Sequence, residues 1–255
     1  MKIALVGSGN VATVMGKIIK KAGHKIVKVI SRNESKACFL ASELDSEAGN
    51  FHSAPYDVDM YIIAITDTAL YHLDQQINFG EKVVVHTAGS VSKEVLKNMS
   101  SHYGILYPLQ SLTKNAVEIP EIPLMVDGNS PETISFIQSF AKTISPNVTI
   151  AGDEQRMKYH IAGVLVSNFT NHLFAVTNTF CRKENIDFRK LLPLIKETTS
   201  RIEQNDPELV QTGPAAREDI RTLSKHLEVL SAHPELKDLY LRLTESIQKL
   251  HHARL

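Results

Sequence analysis

The chain has 255 residues, with 28 Lys+Arg against 28 Asp+Glu, 43% hydrophobic residues, two cysteines and no tryptophan. That length gives one large domain or two modest ones with a real core, and the apolar content excludes a disordered chain. Zero net charge without a Lys/Arg block argues against a nucleic-acid or anionic-membrane binder, and Cys38 and Cys181 lie too far apart for a disulfide framework, which points to a reducing cytoplasm.

The apolar run at the N-terminus turns to glycine at Gly7, too soon for a secretory signal. The densest apolar stretch, Ile161 to Val166, is far short of the ~20 residues that cross a bilayer. Ile3 to Val6 reads as a buried parallel strand. Asn10 to Lys21 has helical spacing through Val11, Val14, Met15, Ile18 and Ile19, with Gly23 as a stop. Lys25 to Ile30 is a second strand, and Asn33 can cap a helix over Glu34 to Leu44. A strand at Met60 to Ile65 precedes a helix near Thr68 to Gln76. Lys82 to His86 is the next strand, Ser92 to Met99 the next helix, and Ile105 to Leu109 one more strand. Leu124 to Val126 follows a proline-bearing stretch, Pro131 opens a helix to about Thr143, and Val148 to Ala151 is a last short strand. Strands separated by helix-length segments predict an α/β, Rossmann-type, doubly wound and mainly parallel sheet.

The pattern changes after Gly152. From Asp153 to about Glu184, Met157, Ile161, Leu165, Phe169, Leu173, Val176 and Phe180 mark one long helix of roughly 45 Å at ~1.5 Å per residue. Ile161 to Val166 is apolar all round, which implies burial on several sides. Further helices are expected near Phe188 to Glu203, kinked or broken at Pro193, then Pro214 to Leu230 and Pro234 to His251. The expected organisation is a dinucleotide-binding domain over 1–152 and an all-α domain over 153–255. One small domain can hardly cover the long helix, so a homodimer through residues 153–184 is expected.

Gly7-Ser8-Gly9-Asn10-Val11-Ala12 fits G-x-G-x-x-A directly after the first strand and at the start of the first helix. Gly7 permits the tight turn, Gly9 lets a pyrophosphate approach the backbone, and Ala12 lets helix and strand pack closely. The helix N-terminus offers free N–H groups and about half a positive charge. A plain strand-to-helix turn would look the same. The second strand ends in Ser31-Arg32-Asn33, where an NAD site usually places Asp or Glu on the ribose 2′-hydroxyl. Arginine pairs with a 2′-phosphate through two N–H groups, which favours NADP over NAD, although Arg32 would serve equally as a solvated surface charge. Thr66 and Thr87, at two further strand ends, can bond ribose or nicotinamide; Thr66 or Asp67 can instead cap a helix.

The glycine loop resembles that of pyrroline-5-carboxylate reductases. These belong to a larger group, with 6-phosphogluconate and 3-hydroxyacid dehydrogenases, that joins an NADP-binding Rossmann domain to a helical dimerisation domain. The remaining pattern resembles Rossmann-like proteins carrying DUF2520. It rests on Tyr107-Pro108-Leu109-Gln110-Ser111, Lys158-Tyr159-His160-Ile161-Ala162 with Ser167-Asn168, Gln211-Thr212-Gly213-Pro214-Ala215-Ala216-Arg217-Glu218-Asp219, and His226-Leu227. The resemblance spans nearly the whole chain and implies an NADP oxidoreductase without fixing a substrate. In related dehydrogenases a lysine near the start of the interdomain helix moves the proton, with an asparagine four residues later. Lys158 stands in a similar place, but Ala162 occupies that later position and Asn168 is further on.

At 100° per residue His160, Asn168 and Asn171 share one polar stripe. Imidazole exchanges protons near neutral pH, so Lys158 or His160 is the candidate proton carrier, with Asn168 orienting the substrate. The plainer alternatives are a packed core histidine and a surface lysine. Arg217, near the start of a helix expected at Pro214, would suit a carboxylate or phosphate, or else a salt bridge. Gln110 and Ser111 would face the same cleft. No P-loop, no Tyr-x-x-x-Lys, no H-x-x-x-H and no C-x-x-C occurs, so P-loop, short-chain dehydrogenase and metal chemistries are not expected. The leading expectation is an NADP-dependent oxidoreductase acting on a small carbonyl, imine or hydroxyacid. The alternative is a non-catalytic NADP-binding sensor or interaction protein; a nucleotide-dependent transferase would usually need the acidic residue absent after the second strand.

Overall fold

A computed structural model describes residues 1–73, 77–116 and 118–252. These form two compact units, Met1–Asn168 and Phe169–Leu255. The first unit holds one sheet of eight strands: β1 (Lys2–Val6), β2 (Lys25–Ile30), β3 (Glu47–Gly49), β4 (Met60–Ile63), β5 (Gly80–His86), β6 (Ser100–Pro108), β7 (Leu124–Gly128) and β8 (Val148–Ile150). The order is β3-β2-β1-β4-β5-β6-β7-β8, parallel throughout except where β6 meets β7. The order reverses between β1 and β4, and ligands of such sheets bind at the carboxyl ends of the strands beside that point.

The expected doubly wound α/β sheet is therefore present, and the alternation of its side chains explains it. Ile3 and Leu5 enter one core with Met15, Ile19, Leu40 and Phe140; Ala4 and Val6 enter the opposite core with Tyr61, Ile63, Leu73 and Phe79. Each face of β1 is fully buried, which makes the strand a continuous apolar run. Helices α1 (Asn10–Lys21), α2 (Glu34–Glu43) and α4 (Pro131–Ile144) lie close to the expected spans. Asn33 caps α2 by accepting from Lys36 N at 2.9 Å, and Ser130 caps α4 by accepting from Thr133 N at 3.2 Å.

Several spans differ from expectation. The helix expected at 68–76 is a single turn, α3 (Asp67–Leu70); residues 74–76 of that span lie outside the described residues. The helix expected at Ser92 to Met99 is a 3₁₀ turn over Lys93–Leu96, capped by Ser92. β3 was not expected, because three half-exposed residues at a sheet edge carry no apolar run.

The long helical run begins with α5 (Asp153–Gly163), passes through a π-helical turn over Val164–Phe169, and continues as α6 (Thr170–Lys183). Ile161, Leu165 and Val166 are 53%, 53% and 74% exposed, so the burial expected of this stretch is not supplied by the described residues.

The second unit holds α6, α7 (Leu192–Arg201), α8 (Ile220–Val229) and α9 (Pro234–His252). Pro193 sits in the first turn of α7, after a 3₁₀ turn over Phe188–Leu191, so it starts that helix anew. The helix expected from Pro214 begins instead at Ile220. Residues 214–218 form turns, Glu218 takes a φ of 54°, and Asp219 caps α8 by accepting from Thr222 N at 3.0 Å. Arg217 therefore lies in an exposed turn whose neighbouring helix start already holds a carboxylate.

Candidate functional site

The strand ends of the first unit meet in register. Val6 pairs with Ile30 and Ile63, and Ile63 with His86. Gly7 continues from β1 with a φ of 126°, and its N–H donates to Ile30 O at 2.8 Å. A Cβ there would stand 2.1 Å from the Ala64 carbonyl oxygen, so only glycine lets β1 turn so close to β4. Gly9 differs: a Cβ on it would meet nothing within 4 Å. It opens onto free space in front of α1, whose first turn has no acidic residue and whose N-cap makes no side-chain hydrogen bond. Ala12 is fully buried, as close helix–strand packing requires. Asn10 Oδ1 accepts from Lys114 N at 3.4 Å, which brings the β6–β7 connection beside the helix start. Val11 is partly buried against the core.

Ser8 Oγ lies 3.0 Å from Ser31 Oγ, and Ser31 Oγ accepts from Asn33 N at 3.2 Å. Arg32 is exposed and has no ion-pair partner among the described residues. These residues fit a dinucleotide: open backbone donors for the pyrophosphate, then hydroxyls and a free guanidinium beside the next strand end. Thr66 is exposed and stands at the N-cap of α3 without a side-chain cap bond. Thr87 is buried, and its hydroxyl donates to Ile63 O at 3.3 Å.

A second cluster forms at the ends of β5 and β6, where α5 crosses them. His86 is fully buried. Its Nδ1 accepts from Ala88 N at 3.1 Å, which leaves the proton on Nε2 to donate to Ser92 O at 3.3 Å. Burial first, and then the Arg156 charge, push its pKa down to about 4, so it is a neutral structural histidine. Arg156 is 1% exposed. It donates to the carbonyls of Gly89, at 3.3 Å, and of Val91, and pairs with Asp153 at 2.9 Å. Burial raises the Asp153 carboxyl, but hydrogen bonds from Ser92 and Arg156 and the guanidinium charge outweigh it and leave it below its usual range. This network holds the 86–92 loop, and His160, one turn after Arg156, packs onto it. A Cβ at Gly89 would stand 2.6 Å from His160 Nδ1.

His160 Nδ1 lies 3.1 Å from Tyr107 Oη, with the rings edge to face at 6.0 Å. Burial raises the Tyr107 pKa, partly offset by Arg156. Both side chains line a cavity of about 440 Å³ that Gln110, Ser111, Ser167 and Asn168 also reach. The structure thus brings His160, Asn168, Gln110 and Ser111 together. Lys158 is not in the described lining; its Nζ pairs with Glu154 at 2.6 Å, and the two side chains are 71% and 84% exposed. Arg217 belongs to the other compact unit. Residues 164–169 turn by less than 100° each, so positions beyond Gly163 drift in phase. Asn168 lies within the π turn, and it reaches the cavity together with His160 all the same.

Sequence reasoning placed the strand end at His86 to Gly89 along the crevice, but it missed the burial of His86, the packing of Gly89 against His160, Tyr107 as the partner of His160, and Asp153 and Arg156 altogether. Their one local signal is Arg156 placed three residues after Asp153 and four before His160, on one face of α5.

Residues 122–247 match the family described as a domain of unknown function, DUF2520. Residues 2–89 match the family described as NADP oxidoreductase, coenzyme F420-dependent. No curated protein matches the chain. A provisionally assigned NADP oxidoreductase from Bacteroides fragilis is 35% identical, over 97% of this chain and 98% of that one, with a TM-score of 0.89. A protein from Thermotoga maritima is 21% identical over 98% and 99% of the two chains, with a TM-score of 0.82. The 1-pyrroline-5-carboxylate reductase of Streptococcus pyogenes shares the fold at 15% identity, over 98% of each chain, with a TM-score of 0.66. Glycine loop, sheet order and whole-chain likeness agree: the chain is an oxidoreductase belonging to the family of Rossmann-type NADP oxidoreductases that carry the DUF2520 domain.

Proposed function

We propose that this chain uses NADP to move a hydride to or from a small carbonyl, imine or hydroxyacid compound held at the ends of β5 and β6. The observation that carries the reading is the open backbone at Gly9, in front of the uncapped start of α1, with the exposed Arg32, free of ion pairs among the described residues, at the next strand end. NADP, when bound, supplies the hydride chemistry, and the chain supplies position and electrostatics. The first turn of α1, over Asn10, Val11 and Ala12, receives the pyrophosphate, and Ser8 and Ser31 offer hydroxyls beside it. Arg32 and Asn33 meet the 2′-phosphate, and Thr66 and Thr87 flank the crevice. His160 serves the proton transfer to or from the substrate, while Asn168, Gln110 and Ser111 orient the substrate. Lys158 is the second candidate for the proton, and its exposed pairing with Glu154 favours His160 over it. Arg217 is kept as a candidate anion contact of the helical unit.

The division into a cofactor domain over 1–152 and a helical domain over 153–255 belongs to the same proposal. So does a homodimer through residues 153–184. Its support is the exposure of Ile161, Leu165, Val166 and Phe169, together with exposed Leu194, Leu209 and Ile220 in a helical unit that buries few side chains. A monomer in sedimentation at micromolar protein would contradict it. A cytoplasmic location is proposed from the unpaired Cys38 and Cys181; no described helix is long and apolar enough to cross a membrane.

The test is NADPH turnover across a panel of small carbonyls, imines and hydroxyacids, with His160→Ala and Lys158→Ala beside the wild type. The reading predicts a loss of ~100-fold or more for His160→Ala and little change for Lys158→Ala. Turnover that neither change affects would remove the catalytic assignment while leaving the cofactor.

A further inference from the structure

The cavity beside Tyr107 and His160 has a chemical bias of its own. Among the described residues lining it there is no Asp, Glu, Lys or Arg; the polar groups are hydroxyls, amides and one imidazole, set among Leu109, Ala162, Val164 and Val166. The two cations of α5 are engaged elsewhere. Arg156 is buried on the Gly89 and Val91 carbonyls and on Asp153, and Lys158 is paired with Glu154. A carboxylate or phosphate entering this space would lose hydration without gaining a counter-charge. A carbonyl group brings only a dipole, which one or two neutral donors satisfy.

One donor is already placed. Tyr107 is 9% exposed at the end of β6, and its hydroxyl is 3.1 Å from His160 Nδ1. With the imidazole proton on Nδ1, that N–H donates to Tyr107 Oη, and the phenolic proton is left free for a third atom in the cavity. We infer that the substrate is an uncharged aldehyde or ketone, and that the Tyr107 hydroxyl, backed by His160, gives the proton to its oxygen. The inference rests on the proposed oxidoreductase reading and narrows its substrate class.

The balance is that of a carbonyl reduction. A hydride from the dihydronicotinamide forms the new C–H bond as the C=O π pair moves to oxygen. That oxygen takes the Tyr107 proton, and the phenolate recovers one from His160 Nδ1–H as His160 Nε2 takes up a proton from solvent, so the imidazole stays neutral throughout. The substrate is reduced to an alcohol and the cofactor oxidised. Burial keeps the phenol protonated through neutral pH, so the proton is present when needed.

The test compares cyclohexanone with 4-oxocyclohexanecarboxylate, two ketones that differ by one charge, on the full chain. Two readouts are taken: the ¹H–¹³C signal of the His160 imidazole, assigned by its loss in His160→Gln, and initial rates of NADPH oxidation. Cyclohexanone should shift the His160 signal and be turned over with a kcat/KM at least ~10-fold above that of the acid. Tyr107→Phe should lower kcat by ~100-fold while KM and the NADPH dissociation constant stay within a few-fold. The inference is overturned if the acid shifts His160 or is turned over as well as the neutral ketone, if neither compound moves the signal, or if Tyr107→Phe keeps its kcat. Failure of NADPH to bind would instead defeat the oxidoreductase reading, and the His160 shift would still report on the cavity alone.

Discussion

Gly89→Ala is the sharpest perturbation available, because it adds one methyl group where the two rings meet the loop. The backbone at Gly89 is outside the left-handed region, so the change carries no φ penalty. The new Cβ would stand 2.6 Å from His160 Nδ1, 2.8 Å from its Cγ and 3.0 Å from Tyr107 Cε2. Ordinary contact begins near 3.4 Å, so the imidazole must retreat by roughly 0.8 Å. The Tyr107–His160 separation then grows from 3.1 Å to as much as about 3.9 Å, beyond a hydrogen bond. His160 is only half-buried and can swing, so the stability cost is set at ~1–2 kcal/mol, the lower part of the overpacking range. At about 2–4 °C per kcal/mol for a chain of this size, melting should fall by several degrees. Displacement of a catalytic group by about 1 Å costs on the order of 100-fold in kcat. Stopped-flow NADPH oxidation, a thermal melt and the His160 imidazole signal read these three effects. A Gly89→Ala protein with an unmoved His160 signal and kcat within a few-fold of wild type would refute the packing argument.

The two glycines of the loop should separate folding from binding. Gly7→Ala forces a Cβ to 2.1 Å from a backbone oxygen and should destabilise by ~3 kcal/mol or more in urea melts, whereas Gly9→Val should melt like wild type yet bind NADPH at least ~10-fold more weakly by fluorescence titration. Arg32→Ala should cost NADPH ~10–100-fold in affinity, leave NADH binding unchanged and leave the melting temperature unaltered, since the side chain is exposed and unpartnered among the described residues. His86 makes stability depend on pH with a definite sign. Its folded pKa of about 4 lies below the ordinary 6.5, so its contribution is complete above pH 6.5 and is lost as pH falls toward 4, when the unfolded chain takes up a proton that the folded one refuses. Between pH 7.5 and 5.0 the loss should be about 2 kcal/mol, and His86→Gln should flatten that part of the curve in urea melts at those two pH values.

What could be read from the sequence was whatever is local. Ile3 to Val6 and Met60 to Ile63 are buried on both faces, so their strands appear as unbroken apolar runs. The Gly7 to Ala12 loop is legible because turn, phosphate approach and helix packing fall within six consecutive residues. β3 was invisible because it is short and half-exposed at an edge, and the start of α8 was misjudged because Pro214 opens a turn rather than a helix. The second cluster was hidden by sequence distance. Arg156 finds its partners 67 and 65 residues upstream, and His160 finds Tyr107 at a separation of 53. No periodicity announces such pairs. Asn168 was legible from helical spacing, and it reaches the same cavity as His160 although a π turn follows Gly163.

The central claim is that the crevice before α1 holds NADP and is selective for its 2′-phosphate. Parallel titrations of the wild-type chain with NADPH and with NADH, followed by nicotinamide fluorescence, test it most directly. The account predicts saturable NADPH binding with a dissociation constant at least ~10-fold below that for NADH. Equal affinity for the two, or no saturable binding of either, would contradict it.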